Sequence, residues 1–199
     1  EVDQQLVDAA EGGIPNALAD LGRLVRIPGI AWPAFDQEEL VRSAEAIAAL
    51  ARDTGVFDDV RIHRAAIPGT DALRQPGVLA TRAARGGKPT VMLYAHHDVQ
   101  PPGDEALWET PPFEPTVHDG RLYGRGTMDD KGPAFAALFG LAAVKASGVE
   151  TKRRVRLILG CDEECGMGCL HHYNEVEKAP DMCFSPDASY PLVNSEKMI

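Results

Sequence analysis

Cysteine is missing from the first 160 residues, long apolar runs are missing throughout, and basic side chains are outnumbered by acidic ones. Each shortage excludes a class of protein. The four cysteines, Cys161, Cys165, Cys169 and Cys183, crowd towards one end of the chain, which is not how a disulfide framework is distributed in a small secreted domain. No apolar stretch approaches the roughly 20 residues needed to span a bilayer, and the segment from Glu1 lacks the basic-then-apolar layout of a secretory signal. A soluble chain in a reducing, cytoplasmic setting is therefore expected. With 20 Lys and Arg against 30 Asp and Glu, the formal charge is −10, which argues against a nucleic-acid partner and against an anionic membrane face. No internal repeat or low-complexity linker divides the 199 residues, so a domain boundary inside the chain is unsupported. A composition of 44% hydrophobic and 25% charged residues is enough to bury a sizeable core.

The pattern then alternates between two periods. Asp3 to Leu24 and Gln37 to Arg52 place Leu, Ile, Val and Ala at helical intervals, the second through Leu40, Val41, Ala44, Ile47, Ala48 and Ala51. Between them, Pro28 and Pro33 break any helix. Val56–His63, Val78–Thr81, Thr90–Tyr94, Val155–Leu159 and Met182–Phe184 are short apolar or β-branched runs bounded by breakers, and read as strands. Lys131–Ala146 is the strongest helix among them, with Pro133 in its first turn, where a missing N–H costs nothing, and Gly148 as a stop. Strands interleaved with helices predict an α/β fold, a three-layer α/β/α domain around a mixed, largely parallel sheet.

The acids and histidines fall where such a sheet would present them. The run Thr90–Ala95 enters His96-His97-Asp98, Arg154–Gly160 leads to Asp162-Glu163-Glu164, and Asp181–Phe184 enters Ser185-Pro186-Asp187. In an open α/β sheet, ligands bind beyond the carboxyl ends of the strands, so these segments deliver polar groups to one crevice. A glycine-rich segment, Tyr123–Gly132, adds Asp129 and leads straight into the Lys131 helix. Gathering Asp98, Asp129, Glu163, Glu164 and Asp187 without cations would be strongly unfavourable, because like charges in a poorly solvated site repel. Oxygen-rich sites with an imidazole suit zinc, cobalt or manganese. Having more carboxylates than one tetrahedral ion uses points to two ions about 3.5–4 Å apart with a shared carboxylate.

Taken singly, each piece has a plainer reading. Acidic residues in turns are usually solvated, and His63, His118, His171 and His172 lack strand-end placement, so exposure or helix-surface packing is expected of them. Cys161, Cys165 and Cys169 match neither zinc nor ferredoxin spacings, and are expected to be buried free thiols rather than ligands of a cluster. The conjunction of four polar clusters in converging order is what favours a metal hydrolase.

The ordered motifs His96–Pro101, Trp108–Phe113, Leu122–Pro133, Asp162–Glu164 and Ser185–Ala188 resemble the metallopeptidase family that holds aminoacylase, acetylornithine deacetylase, succinyl-diaminopimelate desuccinylase, carnosinase and the bacterial dipeptidases. The stretch Ser185–Lys197 is most similar to the bacterial dipeptidase branch. The resemblance implies two zinc ions, a small peptide or N-acyl amino-acid substrate, and individual roles. His96 would bind one zinc together with Asp187. Asp98 would orient His96, Asp129 would bridge the ions across a bond to Asp130 that is cis in relatives, Glu163 would be the general base, and Glu164 would bind the second zinc. An N-acyl amino-acid amidohydrolase is the nearest alternative activity, and an inactive remnant with a binding role is a further one. The resemblance also implies that complete relatives are about twice as long, with a lid or dimerisation domain and a last zinc-binding histidine beyond the point this chain reaches. Residues 1–199 are then expected to be the N-terminal part of a catalytic domain, a fragment inactive alone whose full-length form could be a homodimer.

Overall fold

The computed structural model describes residues 4–187. The chain begins with two helices, α1 (Gln4–Val25) and α2 (Glu38–Asp53). Helix α2 carries Glu38 and Glu39 in its first turn and Arg52 in its last, the charge order that complements the helix dipole. It buries Leu40, Ala44, Ile47, Ala48 and Ala51 along one stripe. Helix α1 runs through Pro15 and is buried only at its C-terminal turn, at Gly22, Leu24 and Val25.

The five expected strands all form, as β1 (Asp59–His63), β2 (Gly77–Arg82), β3 (Thr90–His96), β6 (Arg154–Gly160) and β7 (Met182–Phe184). Two elements not read from the sequence lie between β3 and β6 or follow them. One is a hairpin of β4 (Thr116–His118) and β5 (Arg121–Tyr123), closed by Asp119-Gly120 with both φ angles positive, the signature of a tight two-residue hairpin turn. The other is helix α4 (Gly168–Val176). Helix α3 spans Lys131–Ala146, as its sequence pattern predicts.

The main sheet has the order β1-β2-β6-β3-β7. Strand β3 is parallel to β6 and β7, while β2 is antiparallel to both of its neighbours, so four of the five strands share one direction and only β2 is reversed. The period-two alternation of the strands sorts their side chains between two layers. Val78, Ala80, Ala95, Leu157 and Leu159 face α1, α2 and α3 with Leu24, Ala44, Ile47, Phe135 and Leu138. Leu79, Met92, Tyr94 and Ile158 face α4 through Cys169 and Tyr173. The result is the three-layer α/β/α arrangement predicted from the sequence.

Lys131, at the start of α3, ties that helix to the end of α1 within one layer. Its buried ammonium donates to the carbonyls of Leu24, at 2.8 Å, and Ile27. Those oxygens belong to the end of α1 and the turn after it, and each also accepts a backbone N–H, from Ile27 at 3.1 Å and from Gly29 at 2.9 Å. Burial pushes the Lys131 pKa down to about 7.

Candidate metal centre

Parallel register sets the levels of the site residues. His96 lies opposite Gly160, and Leu93 lies opposite Phe184. Three residues on from the second pair are His96 and Asp187, and three residues beyond Gly160 is Glu163. All emerge at one end of the sheet, where parallel strands leave their carboxyl ends. The fourth contributor is the loop before α3. Its Gly132 N–H donates to the Gly126 carbonyl at 3.1 Å. A Cβ at Gly132 would stand 1.9 Å from the Thr127 carbonyl oxygen, so the close approach that folds this loop back requires glycine.

The structure brings all six predicted site residues together. His96 is fully buried, and its Nε2 lies 3.1 Å from Asp129 Oδ1, 3.8 Å from Glu163 Oε2 and 3.9 Å from Asp187 Oδ2. On the other side of the ring, Nδ1 lies 3.1 Å from the Asp98 carbonyl and 3.2 Å from its carboxylate. The Asp98 carboxylate also accepts from the backbone N–H groups of Glu163, at 3.2 Å, and Glu164, at 3.1 Å. It therefore fixes the imidazole of β3 and the turn after β6 at once. The peptide between Asp129 and Asp130 is cis.

The donors form two groups whose ligand atoms lie within 4.8 Å of one another: His96 with Asp129 and Asp187, and His96 with Glu163 and Glu164. His96 Nε2 and Glu164 Oε1 are buried and make no hydrogen bond. That is the condition expected of donors aimed at a cation, since buried polar atoms otherwise find partners. The titration of the cluster points the same way. Burial alone lowers the His96 pKa, but the hydrogen bond and charge of Asp98, followed by Asp130 and Glu163, carry it up to about 10. Burial raises both Glu163 and Glu164, reinforced at Glu163 by Asp187, Asp98 and Asp129. The cluster holds more negative charge than its own histidine offsets, and the residues fit a divalent cation.

Two residues without a predicted role belong to this neighbourhood. The buried carboxyl of Asp130 accepts the His96 backbone N–H at 3.0 Å, and burial pushes its pKa up to about 8. Gln100 donates its side-chain amide to Glu164 Oε2 at 2.6 Å. Both sit inside the quoted motifs, Asp130 next to Asp129 and Gln100 two residues after Asp98, and only that proximity could have marked them.

The cysteine expectation needs correction in part. Cys161 and Cys169 are buried free thiols as expected, but Cys165 is exposed, because it sits on the turn after β6; Cys183, on β7, is exposed too. Cys161, Asp162 and Cys169 do lie within ligand distance of one another, yet Asp162 is engaged by the Cys169 N–H at 3.0 Å and lies 3.8 Å from Arg74. His118 and His171 are exposed, and the half-buried His63 and His172 meet at 3.3 Å between their Nε2 atoms.

A sheet that gathers one histidine and four carboxylates beyond its strand ends, with a fifth holding the imidazole, is an arrangement for binding cations. The chain matches peptidase family M20/M25/M40 over residues 92–196, and it belongs to that family. It is 43% identical over 113 residues to YtjP of Bacillus subtilis, a protein whose name gives it as a provisional dipeptidase; the matched segment covers 57% of this chain and 24% of YtjP. Among solved structures it is similar to the dipeptidase Dug1p of Saccharomyces cerevisiae, at 25% identity and a TM-score of 0.74, over 85% of this chain and 36% of that one. Human carnosine dipeptidase 1 gives 26% identity and a TM-score of 0.74, over 86% and 37% of the two chains. The chain thus spans well under half the length of these relatives. No helix among the described residues is long and apolar enough to cross a membrane.

Proposed function

We propose that the chain carries the metal centre of a zinc-dependent hydrolase that cleaves the peptide bond of a small peptide, in the simplest case a dipeptide. The observation that carries this reading is His96 Nε2, buried and without a hydrogen bond, facing carboxylates from three other segments. Imidazole with carboxylates suits zinc, with cobalt or manganese as substitutes. In this reading His96, Asp129 and Asp187 would hold one ion, and Glu164, with Asp129 within reach, would hold a second. The substrate class is supported by the names of the relatives. The coverage of those relatives supports residues 1–199 as one part of a longer protein, and the N-terminal part of its catalytic domain is the reading proposed. A cytoplasmic location and a homodimeric longer form belong to the same proposal.

An ion held by these residues would supply a lowered water pKa and polarisation of the scissile carbonyl. The protein groups do the rest. Asp98 accepts from Nδ1–H of His96, which leaves the Nε2 lone pair directed at the site whenever the ring is neutral. Glu163 takes a proton from the attacking water and passes it to the leaving amine. Burial, and then its acidic neighbours, raise its proton affinity towards the range a base needs near neutral pH.

Glu163→Gln tests the assignment. It should retain zinc, measured by metal analysis, while dipeptide turnover falls by about 10²–10⁴-fold, the usual contribution of a general base. Near-normal turnover in that variant would remove Glu163 from the mechanism.

A further inference from the structure

Gln100 lies within the motif that follows β3, two residues after Asp98. Its side chain reaches the turn after β6 and donates to Glu164 Oε2 at 2.6 Å. The orientation of the amide follows from chemistry, because turning it over would set two oxygen acceptors against each other at that distance. With one oxygen of Glu164 engaged by Gln100, the other, Oε1, is buried and unpartnered, and Glu164 belongs to the group of potential ligands with His96 and Glu163.

The backbone around Gln100 is held from several directions. His97 N–H donates to the Gly160 carbonyl at 2.9 Å, and Val99 N–H to the Gly29 carbonyl at 3.0 Å. Arg125 donates to the Pro101 carbonyl at 3.2 Å, and the Trp108 indole to the Pro102 carbonyl at 2.9 Å. The Arg125 guanidinium lies 5.2 Å from the centre of a Trp108 ring, so the two braces support each other. A neutral amide is the donor suited to this place. A lysine or arginine would neutralise Glu164 and compete with a cation, whereas a glutamate would add a further repelling acid.

We infer that Gln100 is a positioning residue for metal binding: it holds one oxygen of Glu164 so that the other is presented, already oriented, to the second ion. The inference rests on the two-ion reading above. Partners that orient metal ligands are commonly worth 10–100-fold in affinity.

The experiment is a zinc titration of the metal-free longer form that carries residues 1–199, and of its Gln100→Leu and Gln100→Asn variants, against a chromogenic chelator. Cobalt spectra at one and two equivalents report each site separately. Both variants should bind the second equivalent about 10–100-fold more weakly and leave the first unchanged, because the Asn amide falls one methylene short. The thermal midpoint of the metal-free protein should not move. Equal affinity for the second ion in wild type and variants overturns the inference and leaves the metallohydrolase reading intact. Equal weakening of both ions, with a lowered midpoint, also overturns it, because that is the result of a merely structural role. A wild-type longer form that takes up no second equivalent removes the two-ion reading and the inference with it.

Discussion

His96 and His97 are adjacent in the chain and titrate in opposite directions. His96 is raised because Asp98 and the other acids outweigh the effect of its burial. His97 is also fully buried, but its Nδ1 meets Ser43 Oγ at 3.0 Å and its Nε2 the Pro76 carbonyl at 2.8 Å, an uncharged cage. Burial takes its pKa from 6.5 down to about 4. Since the unfolded chain then binds more protons than the folded one between those values, stability is complete above pH 6.5 and falls as the pH drops towards 4. The loss by pH 5 is about 2 kcal/mol from this residue. Urea unfolding at pH 7.5 and pH 5 measures it, and in His97→Gln, which cannot take up the charge, this part of the pH dependence should vanish. The sequence marks the His-His-Asp cluster as chemical because it follows an apolar strand. Only the family resemblance singles out His96. The strand-end pattern does not say which histidine faces the carboxylates, because that depends on how the strand end is seated between the acids of β6 and β7 and the Ser43 side of α2.

Helix α3 shows what an element can and cannot disclose. Its extent is legible from composition, with Pro133 in the first turn and apolar residues filling the helix. Its buried Lys131 and the role of Gly132 are not, since both answer to distant parts of the chain. Two glycines of this helix should respond oppositely to the same change. In Gly132→Ala the new methyl meets the Thr127 backbone, which cannot swing aside as a side chain would, and the variant should lose about 1–3 kcal/mol or more. Gly140 has open space around its Cβ position, and Gly140→Ala should gain about 0.5–1 kcal/mol from the better helix propensity of alanine. Urea midpoints of the two variants check both signs. Other elements escaped the sequence reading for identifiable reasons. Strands β4 and β5 are only three residues each, and their Asp119-Gly120 turn signal was the legible part. Helix α4 has a short apolar stripe of Cys169 and Tyr173, too sparse for periodicity to find.

At the scale of the molecule, the two edges of the sheet formed by the described residues differ. Strand β1 carries Asp59 and Arg61, charges that discourage pairing with another chain. Strand β7 reads Met-Cys-Phe, with Met182 55% and Phe184 51% exposed, and among the described residues it pairs only with β3. Such an edge favours association through apolar contact and unpaired backbone groups. Sedimentation velocity should show concentration-dependent self-association of the chain, and Phe184→Lys should shift it towards monomer; unchanged association in that variant would place the contact elsewhere. The dipeptidase-branch motif continues past Asp187, outside the described residues.

By itself the sequence determined the α/β alternation, the main strands and the identity of the acids and imidazole at their ends, because period, breakers and charge are local properties of a chain. Tertiary structure alone decided the rest. Register across β6, β3 and β7 set His96, Glu163 and Asp187 at one level. The fold placed Asp98 beneath two segments at once, and Gln100 against Glu164 across 64 residues of chain. Those distances depend on packing between elements remote in sequence, and no local pattern encodes them.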